Sequence, residues 1–270
     1  DLVDGDDITT NSTVPAEQRS EGVFASRAEG CIAGVPLAIA VLDVIGGEIR
    51  TEILRGDGAR VKKGDHILWV AAPTRRLLTA ERTALNLLCH LSGVATHTAR
   101  WADALHGTTA KVRDTRKTTP GLRALEKYAV RCGGGSNHRQ GLDDAAMLKE
   151  NHLAWSGGVG PAVVAVRRDA PWPARVIVEA ETAAEALAAV EAGADGVLLD
   201  EFSPAALAAL VPQLRAEAAR LGRVVVLEAS GVQPEQLKAY GATGIDLIST
   251  SAPITRSPWL DLSMRFDPLP

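Results

Sequence analysis

Between Lys111 and Lys149 nine Lys and Arg residues stand against four Asp and Glu, in a chain of 270 residues whose formal net charge is -4. The positive charge is therefore local. Arg116, Lys117, Arg139 and Lys149, with His138 among them, supply the planar forks and point charges that hold carboxylates and phosphates. Burying one unpaired cation is costly, so several converging at strand ends imply an anionic ligand. Any one of them alone reads as a solvated surface charge. As a set they favour the ligand, because each follows an apolar run or borders the Gly133-Gly134-Gly135 loop.

Glu179 and Asp200 end two consecutive apolar runs, RVIVE and DGVLLD, which sets two carboxylates side by side. In basic surroundings such a pair suits a hard divalent cation bridging ligand phosphates. A general acid/base pair, or ion pairing with Lys117 and Lys149, competes with that reading. Ser230-Gly231 and the stretch Ser249 to Ala252, including Ser251, follow later strands, where small residues let backbone N–H groups approach a phosphate. Neither a dinucleotide fingerprint nor a Walker lysine motif is present. Lys62-Lys63-Gly64, a lysine turn between strands, lacks the flanks of a biotin or lipoyl carrier. Arg82 alone reads as a solvated helix charge.

These side chains need a scaffold. At 46% hydrophobic residues the chain can bury a full core, whereas 4% aromatic residues and a negative net charge argue against nucleic acid as the main partner. Three cysteines, Cys31, Cys89 and Cys132, are odd in number and widely spaced, which points to a reducing cytosol rather than a disulfide framework or a zinc site. No apolar run approaches the roughly 18 residues of a membrane span, and no signal peptide precedes the first element.

Residues 1–18 read as a polar arm or loop, followed by strands at 22–27, 49–54 and 65–70 and a short helix from Pro36 to Ile45. Helical spacing from Thr74 to Leu91 is expected to break at Ser92-Gly93 before a second helix to about Leu105. After Lys111 the pattern becomes strand, loop, helix, with strands at 111–115, 146–150, 175–180, 195–200, 223–229 and 245–250. Thr182 with Glu185 forms a capping box closed by Gly193, Ser203-Pro204 opens the next helix, and Leu207, Leu210, Val211 and Leu214 make its apolar stripe. Polar residues recur at the strand ends, which favours a barrel with its site at the C-terminal ends of the strands.

The run DTRKTTPGLRALEKYAVRCGGGSNHRQGLDDAAMLKENH, with GDDITT, AEGCIAG, ERTALNLLCHLSGVAT, VEAET, LLDE, LEASG and ISTSAPITRS in separate blocks, resembles the quinolinate phosphoribosyltransferase family over nearly the whole chain. The resemblance implies an α/β fold in two parts. An N-terminal α/β sandwich would cover residues 1–92, with residues 258–270 packing back on it, and an open, incomplete TIM-like α/β barrel would cover residues 93–257. It implies transfer of phosphoribosyl from phosphoribosyl pyrophosphate to quinolinate with decarboxylation and Mg²⁺, in the cytoplasm, by a homodimer with shared sites that could further assemble as three dimers. It places Arg116, His138, Arg139 and Lys149 in the quinolinate pocket, with Arg82 reaching in from the second subunit. Lys117 would lie between the two substrates. Glu179 and Asp200 would serve ribose, pyrophosphate and metal, and Ser230, Gly231, Ser251 and Ala252 the 5′-phosphate. Where many members carry a shorter Gly-containing loop with a His, this chain has Ser251 to Arg256. A transferase acting on another acid, or a silent anion-binding relative, are the alternatives. Lys117, Glu179 and Asp200 are all present, which speaks against the silent one.

Overall fold

The computed structural model describes residue 2 and residues 5–269. Two compact units emerge: one from Asp1–Ala99, Ala124–Gly134 and Pro253–Pro270, the other from Arg100–Arg123 and Gly135–Ala252.

In the first unit, helix α1 (Ile8–Thr13) replaces part of the expected arm. Asp7 is its N-cap, its carboxylate accepting the Thr10 N–H at 3.0 Å, which satisfies a donor the first helical turn leaves open. Strand β1 (Arg19–Ser26) alternates and buries Phe24. It precedes β2 (Gly30–Cys31), α2 (Val35–Ile45), β3 (Arg50–Ile53), β4 (Arg60–Val61) and β5 (His66–Pro73). The helix α3 then runs unbroken from Thr74 to Ala104, so the break expected at Ser92-Gly93 is not there. Ser92 is fully buried and spends its hydroxyl on Ala33, accepting its N–H at 3.1 Å and donating to its carbonyl at 3.2 Å. Gly93 has no Cβ because the Pro258 carbonyl packs against it. Two residues with breaker chemistry are here a close-packing site inside a helix.

The second unit is a run of βα steps. Strand β6 (Lys111–Arg113) leads through a loop to α4 (Arg123–Cys132), of which Ala124 onward belongs to the first unit. There follow β7 (Ala145–Leu148), α5 (Glu150–Ser156), α6 (Val159–Asp169), β8 (Arg175–Ala180), α7 (Ala183–Ala192), β9 (Gly196–Asp200), α8 (Pro204–Arg220), β10 (Val226–Ser230), α9 (Leu237–Gly241), β11 (Leu247–Ser249) and α10 (Ala252–Thr255). The strands form one six-stranded sheet ordered β6-β11-β10-β9-β8-β7, parallel throughout. The two ends, β6 and β7, do not pair, as an open barrel requires. Local chemistry sets the helix ends. Thr182 and Glu185 form the capping box of α7, which Gly193 closes at φ 95°, and the Ser203 hydroxyl caps α8. The stripe Leu207, Leu210, Val211 and Leu214 is buried, as a helix lying on a parallel sheet demands.

A repeated device anchors the strand starts. Asp195, just before β9, accepts the Val176 N–H at 2.8 Å and pairs with Arg167 of α6 at 2.6 Å. Asp246, just before β11, accepts the Leu227 N–H at 2.7 Å and pairs with Arg215 of α8 at 2.8 Å. Each aspartate thus ties a neighbouring strand and an outer helix to its own strand.

The last strand, β12 (Leu262–Pro268), returns to the first unit, where the sheet order is β12-β1-β5-β3 and the pairing with β1 is antiparallel. Its inward residues Leu262 and Met264 join a core with Phe24, Leu68, Leu77 and Leu88.

Candidate active site

The six-stranded sheet fixes which side chains share a face. In parallel pairs, residues opposite one another point the same way. Glu179 stands opposite Leu198, Leu198 opposite Glu228, and Asp200 opposite Ser230. Glu228 is opposite Leu247, and Ser249 opposite Arg113. Arg113, Ser249, Glu228, Ser230, Asp200 and Glu179 therefore lie on one face, and their C-terminal members, with Lys149 just past β7, sit at the carboxyl end of the strands.

The loop after β6 is stitched to the Gly-rich loop. Asp114 is buried, and its carboxylate accepts the His138 N–H at 2.7 Å and an Asn137 amide N–H at 2.6 Å. Ser136 donates its N–H to Val112 at 2.9 Å, so the segment after the three glycines runs beside β6. His138 is buried, and its Nδ1 accepts the Arg139 N–H at 2.7 Å. The neutral ring must then carry its proton on Nε2, which faces Glu228 Oε1 at 3.9 Å. Arg139 donates to the Ala145 carbonyl at 2.9 Å. Its proton affinity lies below the usual arginine range, first because it is partly buried and then because Arg116 is positive, with Asp144 opposing. Two guanidinium groups that press on each other are suited to sharing an anion. Arg116 and Lys117 are exposed.

At the far side of the sheet Lys149 Nζ donates to both Glu179 oxygens, at 2.8 and 2.7 Å. This is one of the pairings the sequence leaves open for the carboxylates. Asp200 accepts a hydrogen bond from the Ser230 hydroxyl at 2.5 Å, and Gly231 follows in a left-handed turn at φ 74°. Ser251 and Ala252 come directly after β11, where the Ala252 N–H donates to the Thr250 hydroxyl at 3.1 Å. Arg82 is exposed on α3, in the first unit.

Three residues outside the expected site set belong here, Glu228 having been expected only as a polar strand end. Arg113, Asp114 and Glu228 form the floor of this region: Arg113 Nη1 lies 2.8 Å from Glu228 Oε2, and Glu228 is 2% exposed. Burial pushes the Glu228 carboxyl up, against the pull of Arg113. The legible signal was a lone acid inside the apolar strand VLEAS. A cavity of about 610 Å³ lies toward the starts of the strands, bordered by Arg113, Asn137, His138, Arg139, Arg175 and Glu228 among others. Of the candidate site residues only His138 and Arg139 border it; the strand-end group Lys149, Glu179, Asp200 and Ser230 does not.

Paired carboxylates and a cationic rim, set at the carboxyl end of an open parallel sheet, define an α/β-barrel enzyme that handles small anions. The comparisons make this particular. The model of the quinolinate phosphoribosyl transferase N-terminal domain matches residues 7–92, and that of its C-terminal domain residues 94–265. The chain belongs to this family. It is 47% identical over 255 residues to the nicotinate-nucleotide pyrophosphorylase [carboxylating] of Mycobacterium leprae, covering 93% of this chain and 88% of that protein. To the probable enzyme of the same name from Synechocystis it is 40% identical, covering 92% and 83%. The crystal structure of NadC from Streptococcus pyogenes superposes with a TM-score of 0.93 at 35% identity, covering 99% of this chain and 93% of that one.

Proposed function

We propose that this chain transfers the phosphoribosyl group of phosphoribosyl pyrophosphate to the ring nitrogen of quinolinate and releases carbon dioxide, giving nicotinate mononucleotide and pyrophosphate. Membership of the family carries the reaction. The observation that supports the roles is that Glu179, bonded by Lys149, and Asp200, bonded by Ser230, close adjacent strands, while Arg116, Lys117, His138 and Arg139 lie in the loops that follow β6 and the three glycines.

Quinolinate has two adjacent carboxylates, and the crowded pair Arg116 and Arg139 matches them by charge and by the geometry of the guanidinium fork. His138 is held by Asp114 and the Arg139 amide, so its ring is oriented before a ligand arrives. In the transfer, the pyridine nitrogen forms a bond to the anomeric carbon as the bond to the pyrophosphate oxygen breaks. Lys117 neutralises charge on the departing oxygens, and Glu179 and Asp200 face the positive character that grows on the ribose. Holding the ring nitrogen against that carbon removes much of the entropic barrier, a contribution of several kcal/mol. Once ribosylated, the nitrogen is cationic and stabilises the carbanion that loss of the adjacent carboxylate leaves; that carbanion then takes a proton. No side chain has to attack covalently.

Glu179 and Asp200 would hold Mg²⁺. Among the described residues no group of three or more His, Cys, Asp or Glu could cage a metal. Glu179 is engaged by Lys149 and Asp200 by Ser230. Two carboxylates of this kind fit an ion that takes most of its ligands from phosphates and water, as Mg²⁺ does. When bound, the ion supplies charge neutralisation on pyrophosphate. The same reading gives Ser230, Gly231, Ser251 and Ala252 to the 5′-phosphate, and Arg82 to the site of a second subunit in a homodimer. Three free thiols, Cys31, Cys89 and Cys132, support a reducing cytoplasm as the setting. No helix among the described residues is long and apolar enough to cross a membrane.

The test is incubation with quinolinate, phosphoribosyl pyrophosphate and Mg²⁺, following carbon dioxide and the mononucleotide, with nicotinate as the control acid. Turnover of quinolinate alone is expected. No product from quinolinate, or equal use of nicotinate, refutes the reading.

A further inference from the structure

We propose that Glu201 is a negative determinant of phosphoribosyl affinity: its carboxylate stands over the Ser230-Gly231 turn and opposes the phosphate bound there. This rests on the reading of that turn as part of the 5′-phosphate cradle.

Glu201 directly follows Asp200 at the tip of β9. Among the described residues it is the only non-glycine with positive φ, at 60°, a conformation that a residue with a long side chain adopts only at a cost. The left-handed turn has a directional consequence. Instead of running out from the strand end, the side chain folds back across Gly231, where an added methyl group would lie 2.7 Å from both the Glu201 carboxyl carbon and Oε1, and 3.1 Å from Oε2. The backbone is tied to the same turn, the Glu201 N–H donating to the Ser230 carbonyl at 3.3 Å. Gly231, itself at φ 74°, is the residue that makes room for the carboxylate.

The charge there is not compensated. No cation pairs with Glu201 among the described residues. The neighbouring carboxylate of Asp200 already uses the Ser230 hydroxyl, so two negative groups border one short turn. The Glu201 charge also reaches Tyr240, whose hydroxyl is raised first by burial and then by Glu201. A carboxylate held a few ångströms from a bound phosphate at an exposed site weakens binding by about three- to tenfold. Both the donor substrate and the nucleotide product carry a 5′-phosphate. The same repulsion therefore loosens the product, which offsets the strong attraction of the cationic rim. A carboxylate that instead accepted ribose hydroxyls or held the metal would have the opposite effect on affinity, so the sign of the change separates the two roles.

The experiment uses the full chain and Glu201→Gln, which keeps the shape and removes the charge, with Glu201→Asn as a second variant whose side chain tolerates the left-handed backbone. Ribose 5-phosphate and quinolinate are titrated calorimetrically in low salt and at about 0.3 M salt, and KM for phosphoribosyl pyrophosphate is measured alongside. In low salt both variants should bind ribose 5-phosphate about fivefold more tightly, with a matching fall in KM and unchanged quinolinate affinity. The gain should shrink in high salt, because screening weakens exposed charge repulsion. Unchanged or weaker ribose 5-phosphate binding in Glu201→Gln overturns the proposal. Absence of ribose 5-phosphate binding in the unaltered chain would sink the cradle assignment and this proposal together, whereas failure of quinolinate turnover with the affinity shift intact would count against the reaction alone.

Discussion

Replacing Arg113 by leucine would leave the Glu228 carboxylate buried with its bonded cation gone. The two groups meet at 2.8 Å, and their side chains are 18% and 3% exposed. Glu228 Oε1 accepts no hydrogen bond, with the His138 ring nitrogen 3.9 Å away, so without Arg113 the carboxylate keeps little beyond its hydrogen bond with Ser249. Removing one member of a buried pair costs about 3–5 kcal/mol, because the survivor keeps its desolvation penalty. With a urea slope of about 3 kcal/mol per molar, the midpoint for loss of β10 should fall by roughly 1 M or more. The pH dependence gives a second handle. Burial already raises the Glu228 carboxyl above its ordinary 4.5, and Arg113 opposes that rise; without Arg113 the carboxyl goes higher. For an acid raised on folding, the folded state holds a proton that the unfolded state has lost, so stability is kept below the unfolded value and lost as pH climbs toward the folded one. Arg113→Leu should therefore cost less at pH 5 than at pH 8. The assay is urea unfolding followed by hydrogen exchange of the β10 amides at both pH values, for Arg113→Leu and for Arg113→Leu combined with Glu228→Leu. The double variant should recover most of the loss. A penalty below about 1 kcal/mol that does not vary with pH, or a double variant no better than the single one, would refute the reasoning.

Three further outcomes are expected. Asp195→Asn should destabilise the barrel by about 1–3 kcal/mol. Burial works to raise the Asp195 carboxyl, but the Val176 N–H, Arg167 and Arg175 together hold it below 3.8. The stability it contributes is present above the unfolded value and fades as pH falls through the lower folded one, so acid unfolding of the variant should be less steep than that of the parent chain. Gly93→Ala should cost about 1–3 kcal/mol, because the methyl group meets the Pro258 carbonyl and backbone must shift; a thermal melt shows it, and an unchanged midpoint contradicts the close-packing account. On the proposed reading of a homodimer with shared sites, Arg82→Ala and Lys117→Ala should each be nearly inactive alone and regain activity when mixed under subunit exchange, since one site of such a mixed dimer would have both residues. No recovery despite demonstrated exchange removes Arg82 from the second subunit's site.

What the sequence determined by itself is what neighbours along the chain decide. The capping box at Thr182 and Glu185, the Gly193 stop, the Ser203 cap and the Leu207 to Leu214 stripe each act within one or two turns, so they were readable, as was the strand at 175–180. The charged strand ends were readable too, because a polar residue closing an apolar run is a local event. Tertiary structure alone decided matters that depend on distant residues. Ser92-Gly93 looks like a break until Ala33 and Pro258 are seen packed against it. Strand β12 alternates at Leu262, Met264 and Phe266, but only pairing with β1 makes it part of a sheet. Arg113 and Glu228, 115 residues apart, meet because β11 lies between their strands in the sheet order. The division of charge within the basic stretch was likewise invisible in composition. Asp114 spends its carboxylate on the Gly-rich loop and Lys149 spends its ammonium on Glu179, while Arg116 and Lys117 stay at the exposed rim, because backbone closure and burial cost, not residue type, determine which charges are satisfied internally.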